Sequence, residues 1–180
     1  ELLNIGLQRL VSLDHTINLL LAIDVISHND ILPHVRMSIA SYFVRNHEID
    51  RLKTFLHSSL TFKCFSPQYY LYASNIMVVN NELELAEELA IESFSQDSTN
   101  ALSALHLSIV YGEQSRYNEA LQYALLSNSL DAELAETKLE LTNLYSKLGE
   151  NGKACLCSLE LIDSRQLTVK AYTNLLAILE

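Results

Sequence analysis

Residues 101–134 read ALSALHLSIVYGEQSRYNEALQYALLSNSLDAEL, and this stretch decides the fold. Ala104, Leu107 and Tyr111 recur at helical spacing and share one face. A polar break follows at Glu113, Gln114 and Ser115, after which Tyr117, Ala120, Leu121 and Ala124 resume the helical period. The stretch closes at Asn128, Ser129 and Asp131, whose side-chain oxygens suit the free backbone groups of a helix end. Two helices joined by a short turn are therefore predicted.

Working outward, the same arrangement recurs in both directions. The only two prolines, Pro33 and Pro67, are 34 residues apart. At that interval a mostly small residue stands at Gly6, Ala40, Ser74, Ser108 and Thr142, with Leu176 one period later. A large residue follows three positions on, at Phe43, Met77, Tyr111 and Tyr145. Further columns run through Leu52, Ala86, Ala120 and Ala154, then Leu56, Ala90, Ala124 and Ser158, then Ser59, Ser93, Ser127 and Leu161. Columns that stay in phase over four periods mark a repeat architecture. A small residue admits a neighbouring helix, and the large residue one turn later fills the space beside it.

The run Ala104, Leu107, Ser108, Tyr111, Tyr117, Ala120, Ala124 and Ser127 resembles the tetratricopeptide repeat (TPR), a helix-turn-helix unit of about 34 residues. The following unit matches with Leu141, Thr142, Tyr145, Gly149, Ala154 and Leu161. The preceding one matches with Tyr70, Ala73, Ser74, Met77, Leu83, Ala86 and Ala90, and the one before it with Ile39, Ala40, Phe43, Ile49 and Leu52. Ile5, Gly6 and Ala22 fit the register in residues 1–32, but Arg9 and Asn18 occupy columns that are aromatic and Ala in the family, so that repeat is degenerate. The proline usual near the end of the family's unit is missing; here proline opens two units, where its fixed φ suits a first helical turn. The resemblance implies an all-α fold, a right-handed α-solenoid of about five TPR-like repeats plus a final single helix. It sets one superhelical domain over 1–180, with repeats at 1–32, 33–66, 67–100, 101–134 and 135–168 and a terminal helix at 169–180.

Composition agrees. Four Gly and two Pro in 180 residues leave little material for hairpins or long loops, while 49% hydrophobic content supplies a continuous ribbon of core. The chain begins without Met, inside a repeat helix, and reads as a segment of a larger protein. The apolar run at 19–23 falls far short of the roughly 18–20 residues of a spanning helix, so membrane insertion is not expected. Three cysteines, Cys64, Cys155 and Cys157, lack framework spacing and point to a reducing, cytoplasmic setting; they read as small packing residues.

Charge and motifs narrow the function. Residues 1–66 carry six acidic and six basic side chains, whereas 67–180 carry sixteen and six, so the net charge of −10 lies entirely in the second part. Glu82, Glu84, Glu87, Glu88 and Glu92 fall on the second helix of their repeat and read as a solvated face. Without clustered Lys and Arg the chain is not expected to bind nucleic acid. It carries no phosphate-cradling glycine loop, nucleophile elbow or histidine pair at metal-binding spacing, so no catalytic residue, metal or cofactor is expected and the segment reads as non-enzymatic.

In TPR proteins the first helices of successive units line a concave groove that takes a partner's peptide. Carrying those columns over implicates His34, Met37, Ser38 and Ser41; then Gln68, Leu71, Tyr72, Asn75 and Val79; then Leu102, Leu105, His106 and Ile109; then Glu136, Leu139, Glu140 and Asn143. The family's carboxylate clamp needs Lys, Arg and Asn there, and only Asn75 and Asn143 fit, so a clamp is not expected. Met37, Leu71, Val79, Leu102, Leu105 and Ile109 instead predict an apolar patch. The expected partner is a protein: an apolar peptide or amphipathic helix in the groove, as for an adaptor or chaperone-like module. The alternative is a structural or oligomerisation segment, with the stripe buried against another domain or a second copy.

Overall fold

The computed structural model describes residue 5 and residues 33–63, 65–165 and 168–179. The rest of the degenerate repeat over 1–32, Cys64, and the side chains of His34 and Met37 lie outside the described residues. Among the described residues there are nine helices and no strand. They are α1 (Pro33–Arg45), α2 (Ile49–Phe62), α3 (Pro67–Val79), α4 (Leu83–Gln96), α5 (Ala101–Glu113), α6 (Tyr117–Leu130), α7 (Ala135–Lys147), α8 (Asn151–Asp163) and α9 (Thr168–Leu179). The helices α1, α3, α5 and α7 start 34 residues apart, each followed within a few residues by its partner. The chain divides into two compact units, Glu1–Tyr69 and Tyr70–Glu180.

In the first unit α1 packs on α2 around Val35, Ile39, Ala40, Tyr42, Phe43, Leu52, Phe55 and Leu56, all buried. Aromatic edges organise this core. Phe43 meets Phe55 at 6.2 Å between centroids, Phe55 meets Phe65 at 6.2 Å, and the Arg36 guanidinium sits 5.4 Å over Phe65.

In the second unit each helix packs on its successor from α4 to α9, and α5, α7 and α9 also touch in sequence. The small columns explain these approaches: Ala86, Ala90, Ala120, Ala124, Ala154 and Ser158 are fully buried, with only a methyl or hydroxymethyl group between the helices. Hydroxyls in the columns also bond between repeats. Ser127 Oγ donates to Ala101 O at 2.9 Å and so accepts from Thr137 Oγ1 at 2.8 Å; one period earlier Ser93 and Ser103 pair at 3.1 Å. At the start of the unit Ser74 Oγ donates to Ala86 O at 2.6 Å, tying α3 to α4.

The turn inside each repeat is one device used four times. His47, Asn81, Ser115 and Gly149 have φ of 58°, 59°, 62° and 77°, and the amide that follows each returns to the carbonyl of Phe43, Met77, Tyr111 or Tyr145 at 2.8–2.9 Å. This is the Schellman closure of a helix C-terminus. The large residue of the repeat thus also supplies the carbonyl that closes its turn. Only Gly149 adopts the left-handed conformation without a Cβ penalty. Ser115→Gly is accordingly expected to stabilise the second unit by about 1 kcal/mol, read as a higher melting temperature.

Candidate functional site

The helix α5 is apolar around most of its circumference: Ser103 through Ser108, Val110 and Tyr111 are all buried. A helix of that kind sits inside a stack, and α5 indeed contacts α4, α6 and α7. Its C-terminal end behaves differently. There Ile109 is half-buried and Glu113 exposed, while Gly112 presents no side chain. Together with α7 and α9 this end encloses an open cavity of about 310 Å³.

Three parallel positions build the cavity wall. The α5 helix contributes Ile109, Gly112 and Glu113; α7 contributes Glu140, Asn143, Leu144 and Lys147; α9 contributes Asn174, Ala177 and Ile178; and Tyr117, the first residue of α6, also lines it. The Glu140 carboxylate lies over Gly112, where a Cβ would come within 3.5 Å of its Oε1. Asn174 Nδ2 donates to Asn143 Oδ1 at 2.9 Å and fastens α9 to α7. Burial pushes the Glu140 carboxyl above its ordinary pKa; a hydrogen bond from Asn143 opposes the rise and the nearby charge of Glu113 adds to it. Neither carboxylate has an ion-pair partner among the described residues.

The residues expected to form a groove are distributed differently from the sequence reading. Ile109 and Asn143 line the cavity, as does Glu140. On α5, Leu102 is 50% exposed. Glu136 is exposed and Leu139 half-buried on α7. Tyr72, Asn75 and Val79 are exposed on α3, with Leu71 half-buried; in the first unit Ser38 and Ser41 are half-buried. Leu105 and His106 need correction as open groove residues, being 5% and 8% exposed because α5 is enclosed by its neighbours. His106 is instead a core polar link. Since Ser74 Oγ spends its proton on Ala86 O, His106 Nε2–H donates to Ser74 Oγ at 2.8 Å. Desolvation holds this imidazole neutral, with its pKa lowered to about 4.

Sequence reasoning passed over Glu113, Lys147, Asn174, Ala177 and Ile178. The period contained the signal: Glu113 and Lys147 share a column one turn beyond Ile109 and Asn143, and Asn174 and Ala177 continue the Glu140 and Asn143 columns into α9. It also read Glu87 as solvated. The structure pairs it with Arg116 at 2.9 Å, and Arg116 also bonds Gln114 and Glu119 and lies 4.2 Å over the Tyr111 ring. Burial alone would raise the Glu87 pKa, but hydrogen bonds from Gln114 and Arg116 bring it below the usual value. This cluster braces α4 against the α5–α6 turn. Among the described residues no group of three His, Cys, Asp or Glu could hold a metal, and no helix is long and apolar enough to cross a membrane.

Comparison with solved structures decides the architecture. YrrB, described as a TPR protein with an unusual peptide-binding site, superposes with a TM-score of 0.72 over 95% of this chain and 89% of its own, at 12% identity. The chain has the TPR fold. The MamA protein matches with a TM-score of 0.69 over 81% of this chain and 80% of its own, at 16% identity. The second TPR domain of human RPAP3, solved with the HSP70 peptide SGPTIEEVD, matches with a TM-score of 0.57 over 64% of this chain and 99% of its own, at 18% identity. No family model matches the sequence of this chain, and no curated protein does.

Proposed function

We propose that this chain is a protein–protein interaction module of the adaptor or chaperone-like kind, and that the α5–α7–α9 face receives a peptide or amphipathic helix from its partner. The cavity of about 310 Å³ carries this reading: it is open, it is built by three successive first helices, and Ile109, Ala177 and Ile178 give it apolar walls. The peptide complex of RPAP3 and the peptide-binding site of YrrB lend support by analogy of fold. The double variant Leu102→Gln/Ile109→Gln removes apolar contact from this face without touching the buried columns. Purified partner identified by capture with the native chain is expected to bind this variant at least tenfold more weakly, with helix content unchanged by circular dichroism. Equal affinity for both proteins would refute the reading.

A second reading has its own observation. On α9, Val169, Tyr172 and Leu176 are 81%, 51% and 63% exposed at i, i+3 and i+7 spacing. Leu176 occupies the column that is buried at Ser74, Ser108 and Thr142. A structural or oligomerisation role would cover this stripe with another domain or a second copy, and a molecular mass that rises with concentration would favour it.

A further inference from the structure

We propose that the α5–α7–α9 cavity is a subsite for one cationic side chain, an arginine or lysine of the partner protein, seated between Glu113 and Glu140. This rests on the reading of the face as a peptide groove and names the chemistry the groove selects. Charge complementarity carries the argument. Two carboxylates and one ammonium, Lys147, line the cavity. Lys147 makes no ion pair with either carboxylate. The lining therefore holds one more acidic than basic group, and neither carboxylate is ion-paired among the described residues.

The position of Glu140 makes it receptive. Its carboxylate lies over Gly112 and is partly withdrawn from water, so an incoming cation meets an acceptor whose desolvation cost is partly met by the fold. Asn174 Nδ2 donates to Asn143 Oδ1 beside it, so this part of the polar wall is tied between α7 and α9 before a ligand arrives. Size agrees as well. At about 310 Å³ the cavity is near the lower end for ligand sites, roughly 300–1,000 Å³, which suits one long side chain and its flanking backbone. Ile109 and Ile178 offer the apolar surface that the methylenes of Lys or Arg cover.

Blocked pentapeptides Ac-Ala-Leu-Xaa-Leu-Ala-NH₂, with Xaa as arginine, lysine, citrulline, norleucine or glutamate, provide the test when titrated into the labelled chain by NMR. The arginine and lysine peptides are expected to shift the Gly112 backbone amide and the Asn143 and Asn174 side-chain amides, binding at least tenfold more tightly than citrulline or norleucine. Glu113→Gln/Glu140→Gln is expected to abolish that preference, and since neither carboxylate supports a helix contact through an ion pair, its helix content serves as the folding control. Equal binding of the arginine, citrulline and norleucine peptides at these amides would overturn the cation subsite and leave the apolar groove standing. No shift on α5, α7 or α9 with any of the five peptides would overturn both.

Discussion

Ala120→Trp is expected to unfold the repeat made by α5 and α6. Ala120 is fully buried, in the column shared with Ala86 and Ala154, where α6 meets α5 through a single methyl group. An indole has no space there, and overpacking costs about 1–3 kcal/mol or more even for smaller insertions. The same change at Gln122, exposed two residues away on the same helix, should alter stability by no more than about 0.5 kcal/mol. Urea titration of both variants separates the two effects, because only a buried column makes the outcome depend on position within the helix. Equal stabilities would place Ala120 outside the contact. A repeat stack also predicts how the damage spreads: each repeat depends on its neighbours, so hydrogen exchange should rise in α5 and α6 first and then in the helices that contact them.

That prediction was available from the sequence, and the reason is the redundancy of repeats. A single alanine says little, but Ala86, Ala120 and Ala154 in one column report the same contact three times. The turn was harder to read. Its left-handed position holds His47, Asn81, Ser115 and Gly149, of which only Asn and Gly advertise positive φ. Helix packing on either side fixes the turn where local preference does not. The groove was partly legible for a related reason. Columns locate a helix face, and so they found Ile109 and Asn143, but they do not say how far neighbouring helices close over that face. Leu105 and His106 share the helix face of Leu102 in a projection of α5, yet they sit deeper in the stack, where α4, α6 and α7 surround the helix. Nor can periodicity assign a hydrogen bond: Ser74 read as a small packing residue, and its link to His106 crosses 32 positions between different columns.

Burial of His106 at that link produces the second large effect, a loss of stability on mild acidification. His106 has a folded pKa of about 4 against 6.5 for the free side chain, so the folded state binds the proton less readily than the unfolded one. Its contribution is fully present above pH 6.5 and is lost as pH falls from 6.5 towards 4. The expected cost is about 2 kcal/mol by pH 5 and about 3 kcal/mol once the folded imidazole protonates. The neighbouring carboxylates do not mimic this. Glu87 and Glu119, held below their usual 4.5, lose stabilisation only at lower pH. Glu140, raised above it, contributes in the opposite sense, its stability present at low pH and lost as pH rises through the folded value. Hydrogen exchange of α5 amides between pH 7.5 and 5, corrected for the intrinsic rate, should therefore show falling protection in the native chain and a flatter profile in His106→Gln. Parallel profiles would mean that water reaches His106 and that the chain from His106 through Ser74 to the Ala86 carbonyl does not exclude it. The physical reason to expect otherwise is geometric: with Nε2 donating to Ser74, a second proton must enter on Nδ1, and at 8% exposure the resulting charge is left with little solvent.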